Sequence, residues 1–73
     1  MKIHYLEKDG RYLLVVNNCI NKSIIAKYLK IPNREFEKFL KVNGGKLKLD
    51  ENIYFDSKQE ILFIIEQLKN FKR

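Results

Sequence analysis

The sequence predicts a small α+β domain with the element order β-β-α-α-β-β-α. Three observations lead there. Two stretches of alternating apolar residues, KIHYLEKDGRYLLVV and KLKLDENIYF, fold back on themselves at turn signals. Between them, IIAKYLKIPNREFEKFL carries apolar residues at helical spacing on both sides of a proline. Last comes DSKQEILFIIEQLKNF, an uninterrupted helical pattern opened by Ser57 and Glu60 at capping-box spacing. The whole chain, residues 1–73, reads as a single domain without repeats, low-complexity tracts or linkers.

The first hairpin, residues 1–16, turns at Asp9-Gly10, a strong two-residue type I′ signal. That register pairs Lys8 with Arg11, Leu6 with Leu13, His4 with Val15 and Ile3 with Val16. Ile3, Tyr5, Tyr12, Leu14 and Val16 then form the better core face. The other face (Lys2, His4, Leu6, Lys8, Arg11, Leu13 and Val15) is basic with an apolar centre. NNCI is a polar connector, and Asn21 can N-cap the next helix. On that helix Ile25, Tyr28 and Leu29 share a side, with Ile24 at its edge and Ala26 beside it. Ser23, Lys27 and Lys30 face away.

Pro32 stops the helix, because the residue before a proline avoids the α region. Asn33 is a suitable N-cap for a second helix from Arg34 to about Val42, which Gly44-Gly45 ends. The second hairpin, residues 46–55, fits a three-residue turn over Asp50-Glu51-Asn52 with Asn52 left-handed. Leu47, Leu49, Ile53 and Phe55 then share one face, and Lys46, Lys48 and Tyr54 the other. The closing helix, residues 57–71, has a core stripe of Ile61, Ile64, Ile65, Leu68 and Phe71. Phe63 points about 140° from the centre of that stripe, and Leu62 lies on one flank.

Seventy-three residues support one modest core, worth roughly 3–5 kcal/mol without staples. A single cysteine, Cys19, excludes an internal disulfide and a cysteine-based zinc site. It reads as a small buried hydrophobe in a reduced compartment. No apolar run approaches the roughly 20 residues of a membrane span, and the N-terminus lacks the apolar segment of a signal peptide, so a cytoplasmic protein is expected. A single alanine among many Lys, Asn, Ile, Phe and Tyr suits an AT-rich bacterial genome or its phages and plasmids.

The formal net charge of +6 favours a polyanionic partner, nucleic acid first and acidic protein second. Residues 1–31 hold six Lys/Arg against two acids, residues 32–49 five against two, and residues 50–73 four against five. The excess therefore belongs to the N-terminal and middle parts. An enzyme is not expected. His4 is the only histidine and has no carboxylate or metal-ligand spacing around it, and Gly44-Gly45 fits neither glycine-rich phosphate motif. No cofactor or metal is implied.

A helix pair followed by a short hairpin is the layout of a winged helix-turn-helix. IIAKYLKIPNREFEKFL, residues 24–40, resembles the helix-turn-helix pattern of that superfamily: a small residue, Ala26, where the helices touch, apolar Ile31 after the corner, then Phe36 and Leu40 packing inward. GGKLKLDENIYFDSKQEILFIIEQL, residues 44–68, is similar to the wing and closing helix of small excisionase-like and relaxosome accessory proteins of mobile elements. The resemblance spans about residues 20–70, with residues 21–42 as the helix-turn-helix, and leaves the first hairpin outside. Lys30 departs from it, standing at a corner position that often holds glycine. What the resemblance implies is a double-stranded DNA-binding accessory or regulatory factor of a phage, prophage or plasmid, acting in transcription, excision or conjugation.

Helical geometry assigns the contacts. With Phe36 as reference, Phe39 and Leu40 lie within about 60°, while Arg34, Lys38 and Lys41 lie about 140–200° away, opposite the core. Glu35 and Glu37 are flanks, able to pair with Lys38 and with Lys41 or Arg34 respectively. Lys27, Lys30, Asn33, Arg34, Lys38 and Lys41, with Lys46, Lys48 and Tyr54 on the outward face of the wing, are the expected DNA contacts, forming one continuous basic surface. Arg34 suits guanine, Asn33 adenine and Glu35 a cytosine amino group. The ordinary alternative is a solvated face laced with ion pairs. Leu62, Phe63, Leu6 and Leu13 are the candidates for a homodimer contact or a protein-partner surface. Phe63 is equally open to burial under the first hairpin. The rival function is a protein-interaction module, such as a small phage-type inhibitor, on the same fold without DNA binding.

Overall fold

Asp9 and Gly10 both take positive φ, 53° and 76°, in a computed structural model that describes residues 1–48 and 51–71. This is the backbone of a type I′ turn, whose twist matches that of the strands it joins. It connects β1 (Ile3–Lys8) to β2 (Arg11–Val16) in the expected register, Lys8 opposite Arg11 and Ile3 opposite Val16. A second tight turn follows at once. Asn17 and Asn18 also have positive φ, 52° and 64°, and Val16 and Cys19 exchange backbone hydrogen bonds of 3.0 and 2.9 Å across them. Asparagine tolerates this conformation because its short polar side chain bonds locally. The Asn17 carboxamide oxygen accepts from the Lys2 backbone N–H at 3.0 Å, pinning the open end of the hairpin.

Helix α1 (Lys22–Leu29) starts where Asn21 Oδ1 accepts from the N–H groups of Ser23 and Ile24 at 2.9 and 3.1 Å. Helix α2 is Asn33–Val42. Both helices end in the same way: one residue turns left-handed, and the next N–H reaches back five residues. In α1 that residue is Lys30 (φ 58°), with Ile31 N–H on the Ala26 carbonyl at 3.0 Å. In α2 it is Gly44 (φ 91°), with Gly45 N–H on the Leu40 carbonyl at 2.7 Å. These are Schellman closures, and glycine is their usual occupant. Helix α3 (Lys58–Lys69) begins with Ser57 Oγ accepting from Glu60 N–H at 3.2 Å.

Strands β3 (Lys46–Leu47) and β4 (Ile53–Phe55) complete one antiparallel sheet of order β1-β2-β4-β3. Tyr12 lies opposite Phe55 and Leu13 opposite Tyr54, so β2 joins the two hairpins. The described residues thus form a small α+β domain with a four-stranded antiparallel sheet and three helices. Side-chain alternation sends Ile3, Leu14, Val16, Ile53 and Phe55 to one face. There they pack against Ile25, Ala26, Leu29, Phe36, Leu40, Ile61, Ile64 and Leu68 from all three helices.

Several expectations need correction. The turn in the second hairpin falls one residue earlier than Asp50-Glu51-Asn52: Leu47 pairs with Ile53 and Lys46 with Tyr54, and the Lys48 N–H donates to the Asn52 carbonyl at 3.1 Å. The pairing is displaced by two residues, and a slip of two leaves each side chain on its own face. The left-handed residue is Glu51 (φ 62°), not Asn52, which is buried and bridges to Asn21. Leu49 and Asp50 lie outside the described residues. Asn33 is the first residue of α2 rather than its cap; Pro32 occupies the N-cap, where its missing N–H costs nothing.

The stripe that α1 buries is Lys22, Ile25, Ala26 and Leu29, so Tyr28 lies on a flank and is 42% exposed. Phe71 leaves the core stripe of α3 because that helix stops at Lys69, and it too is exposed. Cys19 is half-buried rather than buried, its thiol 3.9 Å from the Tyr28 hydroxyl. On the outer face of the sheet Leu13 is only 4% exposed, held in a cross-strand row between Leu6 and Tyr54.

Candidate nucleic-acid interface

Helix α2 buries Phe36 and Leu40 and half-buries Phe39, which turns Arg34, Lys38 and Lys41 outward. The sequence places these three cations on one side because positions 34, 38 and 41 recur at helical spacing. Their electrostatic state differs. Lys41 Nζ donates to Glu37 Oε1 at 3.3 Å. The other Glu37 oxygen accepts from Lys22 Nζ at 2.9 Å, and Lys22 is only 5% exposed. Hydrogen bonds from Lys22 first, and from Lys41 second, hold the Glu37 carboxyl below its ordinary value. The expected Glu37 partner Arg34 is replaced by Lys22, and Glu35 makes no ion pair with Lys38 among the described residues.

Lys22 carries a role that its charge conceals. It occupies the core side of α1, at the spacing 22, 25, 26, 29, which a reading of apolar positions passes over. Its aliphatic stem is buried while its ammonium reaches α2, so the pair ties the start of one helix to the middle of the next. Asn33 makes a second tie: its Nδ2 donates to Ser23 Oγ at 3.2 Å, and Ser23 Oγ donates to Glu51 Oε1 at 2.9 Å. One amide group of Asn33 is therefore already engaged within the fold. The same contacts set the start of α2 against the Ser23–Lys27 side of α1. Lys27, Lys30, Arg34 and Lys38 are exposed, and none has an acidic partner among the described residues; Arg34 lines a shallow depression with Lys22, Asn33 and Glu37, and Lys30 another beside Tyr28 and Lys69.

The second hairpin does not stand out as a free wing. Glu51 O accepts from the Lys22 N–H at 2.9 Å, and Asn52 bridges to Asn21, so the tip is docked on the start of α1. Lys46 is bonded to Asp56, whose carboxyl it holds low, and Arg11 Nε approaches the same group at 3.6 Å. Lys48 Nζ lies 5.9 Å from the centre of the Tyr54 ring. Tyr54 is 8% exposed, too covered for a base to stack on. Alternation directs Tyr54 and Lys46 away from the core side of the sheet. The expected continuous surface is therefore divided: the helix cations leave the helical layer, and the hairpin lysines leave the sheet layer.

Of the four candidate interface residues, Leu62 (46%), Phe63 (52%) and Leu6 (51%) are exposed, whereas Leu13 is covered. Phe63 is not packed under the first hairpin. Among the described residues no group of three His, Cys, Asp or Glu could hold a metal, and no helix is long and apolar enough to cross a membrane. No protein-family model, no curated protein and no solved structure matches the chain.

Proposed function

We propose that the protein is a winged helix-turn-helix factor that binds double-stranded DNA through α2. It would serve as a small accessory or regulatory component of a phage, prophage or plasmid. The observation that carries this reading is the set of four exposed cations on α1, its C-cap and α2, Lys27, Lys30, Arg34 and Lys38, none of which has an acidic partner among the described residues. A helix about 10–12 Å across fits the major groove, and cations on its outward side meet phosphates at the groove walls. Arg34, exposed in the first turn of α2, is the residue best placed for a guanine edge, since its planar fork matches the O6 and N7 acceptors. The tied carboxamide of Asn33 makes adenine readout by that residue a weaker expectation than guanine readout by Arg34.

Phosphate contacts from the other three, Lys27, Lys30 and Lys38, imply that log K falls with log salt at a slope of roughly −3. A gel shift with random-sequence duplex at two salt concentrations measures it. Arg34→Glu with Lys38→Glu should remove binding while the amide spectrum stays dispersed. Full binding by that folded double variant would rule out docking through α2.

The second reading, a protein-binding module, is favoured by one observation: Leu62 and Phe63 are adjacent on α3 and both about half exposed. It expects no duplex binding even at low salt, together with self-association or partner capture that depends on Phe63.

A further inference from the structure

We infer a second anion site, on the outer face of the sheet, shaped to take a phosphate group. Lys8, Asp9, Arg11, Lys48 and Tyr54 line a groove of about 360 Å³ between the first turn and the second hairpin. It lies on the opposite layer from the α2 cations and does not depend on duplex binding by α2.

Three features make this groove more than a solvated patch. First, Lys8 and Arg11 face each other directly across the hairpin, an arrangement that repels in the free protein and that an anion between them relieves. Second, Arg11 is aimed. Its Nε is held 3.6 Å from Asp56, while no partner among the described residues occupies its two terminal nitrogens. A guanidinium with an acid near one edge and its terminal nitrogens open can take a phosphate bidentately. Third, Tyr54 is 8% exposed, yet its hydroxyl has no hydrogen-bond partner among the described residues. No buried polar side-chain atom among the described residues is left unsatisfied, and Tyr54 is one of the residues that line the groove. The hydroxyl offers a donor at the floor, with Lys48 Nζ 5.9 Å from the ring centre. Asp9 also lines the groove and opposes an anion. With Lys46 included, four cations here face two carboxylates among the described residues, Asp9 and Asp56.

The ligand class is a phosphate ester or diphosphate, either a small phosphorylated compound or a polynucleotide backbone. Amide chemical shifts, followed while inorganic pyrophosphate is added at constant ionic strength, test the site. Saturable shifts should centre on Lys8, Arg11, Lys48 and Tyr54. Lys8→Gln with Lys48→Gln should weaken pyrophosphate binding by about tenfold, and Tyr54→Phe by a smaller factor, since bonds to charged donors are the stronger ones. Arg34→Gln with Lys38→Gln should leave pyrophosphate binding unchanged, whatever it does to duplex DNA. A parallel titration with oligothymidylate identifies the source: tighter binding than pyrophosphate indicates a polynucleotide backbone, weaker binding a small phosphorylated compound, and either keeps the site. Non-saturating shifts spread over all lysines, the same shifts with chloride, or equal weakening by the Arg34 and Lys38 changes would overturn it.

Discussion

Lys30 and Gly44 do the same job at the ends of two successive helices, and only one of them is suited to it. A left-handed lysine brings its Cβ against the following carbonyl, at about 1–2 kcal/mol, and glycine escapes that contact. Lys30→Gly should therefore raise stability by about 1 kcal/mol in urea denaturation, reduced somewhat by the freer unfolded chain. Gly44 is held in place more firmly. Its φ is 91°, which strains any side chain, whereas a Cβ there would displace only the Glu60 carboxylate, the far end of a flexible side chain. The departure at position 30 was visible in the sequence as a lysine where such corners often hold glycine; which backbone it adopted was not, because φ depends on how α2 is drawn back onto α1.

Glu37 gives a pH signature at the same scale. Its carboxyl lies below its ordinary 4.5 because Lys22 and then Lys41 donate to the charged form. A group depressed in the folded state stabilises above its unfolded value and loses that contribution as pH falls through the folded value. The urea midpoint of the native protein should thus fall between neutral pH and pH values below 4.5, and Glu37→Gln should show a shallower fall. Equal acid sensitivity in the two proteins would place the linkage elsewhere, with Asp56 the next group to substitute. Lys22 was not legible: its charge argued for the surface, whereas it is buried on the core side of α1 with its ammonium on Glu37.

At the scale of elements, the patterns that survived best were those that depend on period. The first hairpin kept its register because Asp9-Gly10 dictates a two-residue turn. The second hairpin moved by two residues because Glu51 and Asn52 bond to the start of α1, a tertiary contact that no local turn signal encodes. Faces nevertheless held, since alternation is indifferent to a slip of two. Helix α3 shows the same division. Its buried stripe of Ile61, Ile64, Ile65 and Leu68 follows from spacing, while its end at Lys69 leaves Phe71 outside. Ile64→Val should cost about 1 kcal/mol through a lost methylene in a closed core. Phe63→Lys, at an exposed position, should change stability by less than about 0.5 kcal/mol. Urea denaturation of both variants checks the contrast, and a comparable loss from Phe63→Lys would mean that a second copy covers this helix.

Over the whole molecule, a net charge of +6 indicated a surplus of cations but not its distribution. Acids select which cations are neutralised: Glu37 takes Lys22 and Lys41, and Asp56 takes Lys46 while approaching only one edge of Arg11. The helix cations are left on one layer and the groove cations on the other. If duplex DNA meets α2, Lys38→Gln should reduce the salt slope by about one unit, and Lys46→Gln should leave it unchanged. Fluorescence anisotropy with a labelled duplex distinguishes the two, and a reduced slope for Lys46→Gln would bring the sheet layer into the same complex.

The meeting of Tyr12 with Phe55 and Leu13 with Tyr54 has a consequence for how the chain reaches this state. Each hairpin closes over a short connection and can form early. The β2–β4 ladder must wait until the entire helical segment between its strands has been brought round. Closing that loop loses entropy before the ladder returns any contact energy. Folding speed therefore rests on the seam between the hairpins more than on either hairpin, and a substitution at Phe55 should slow refolding where one in the Asp9-Gly10 turn acts on the rate of hairpin closure alone.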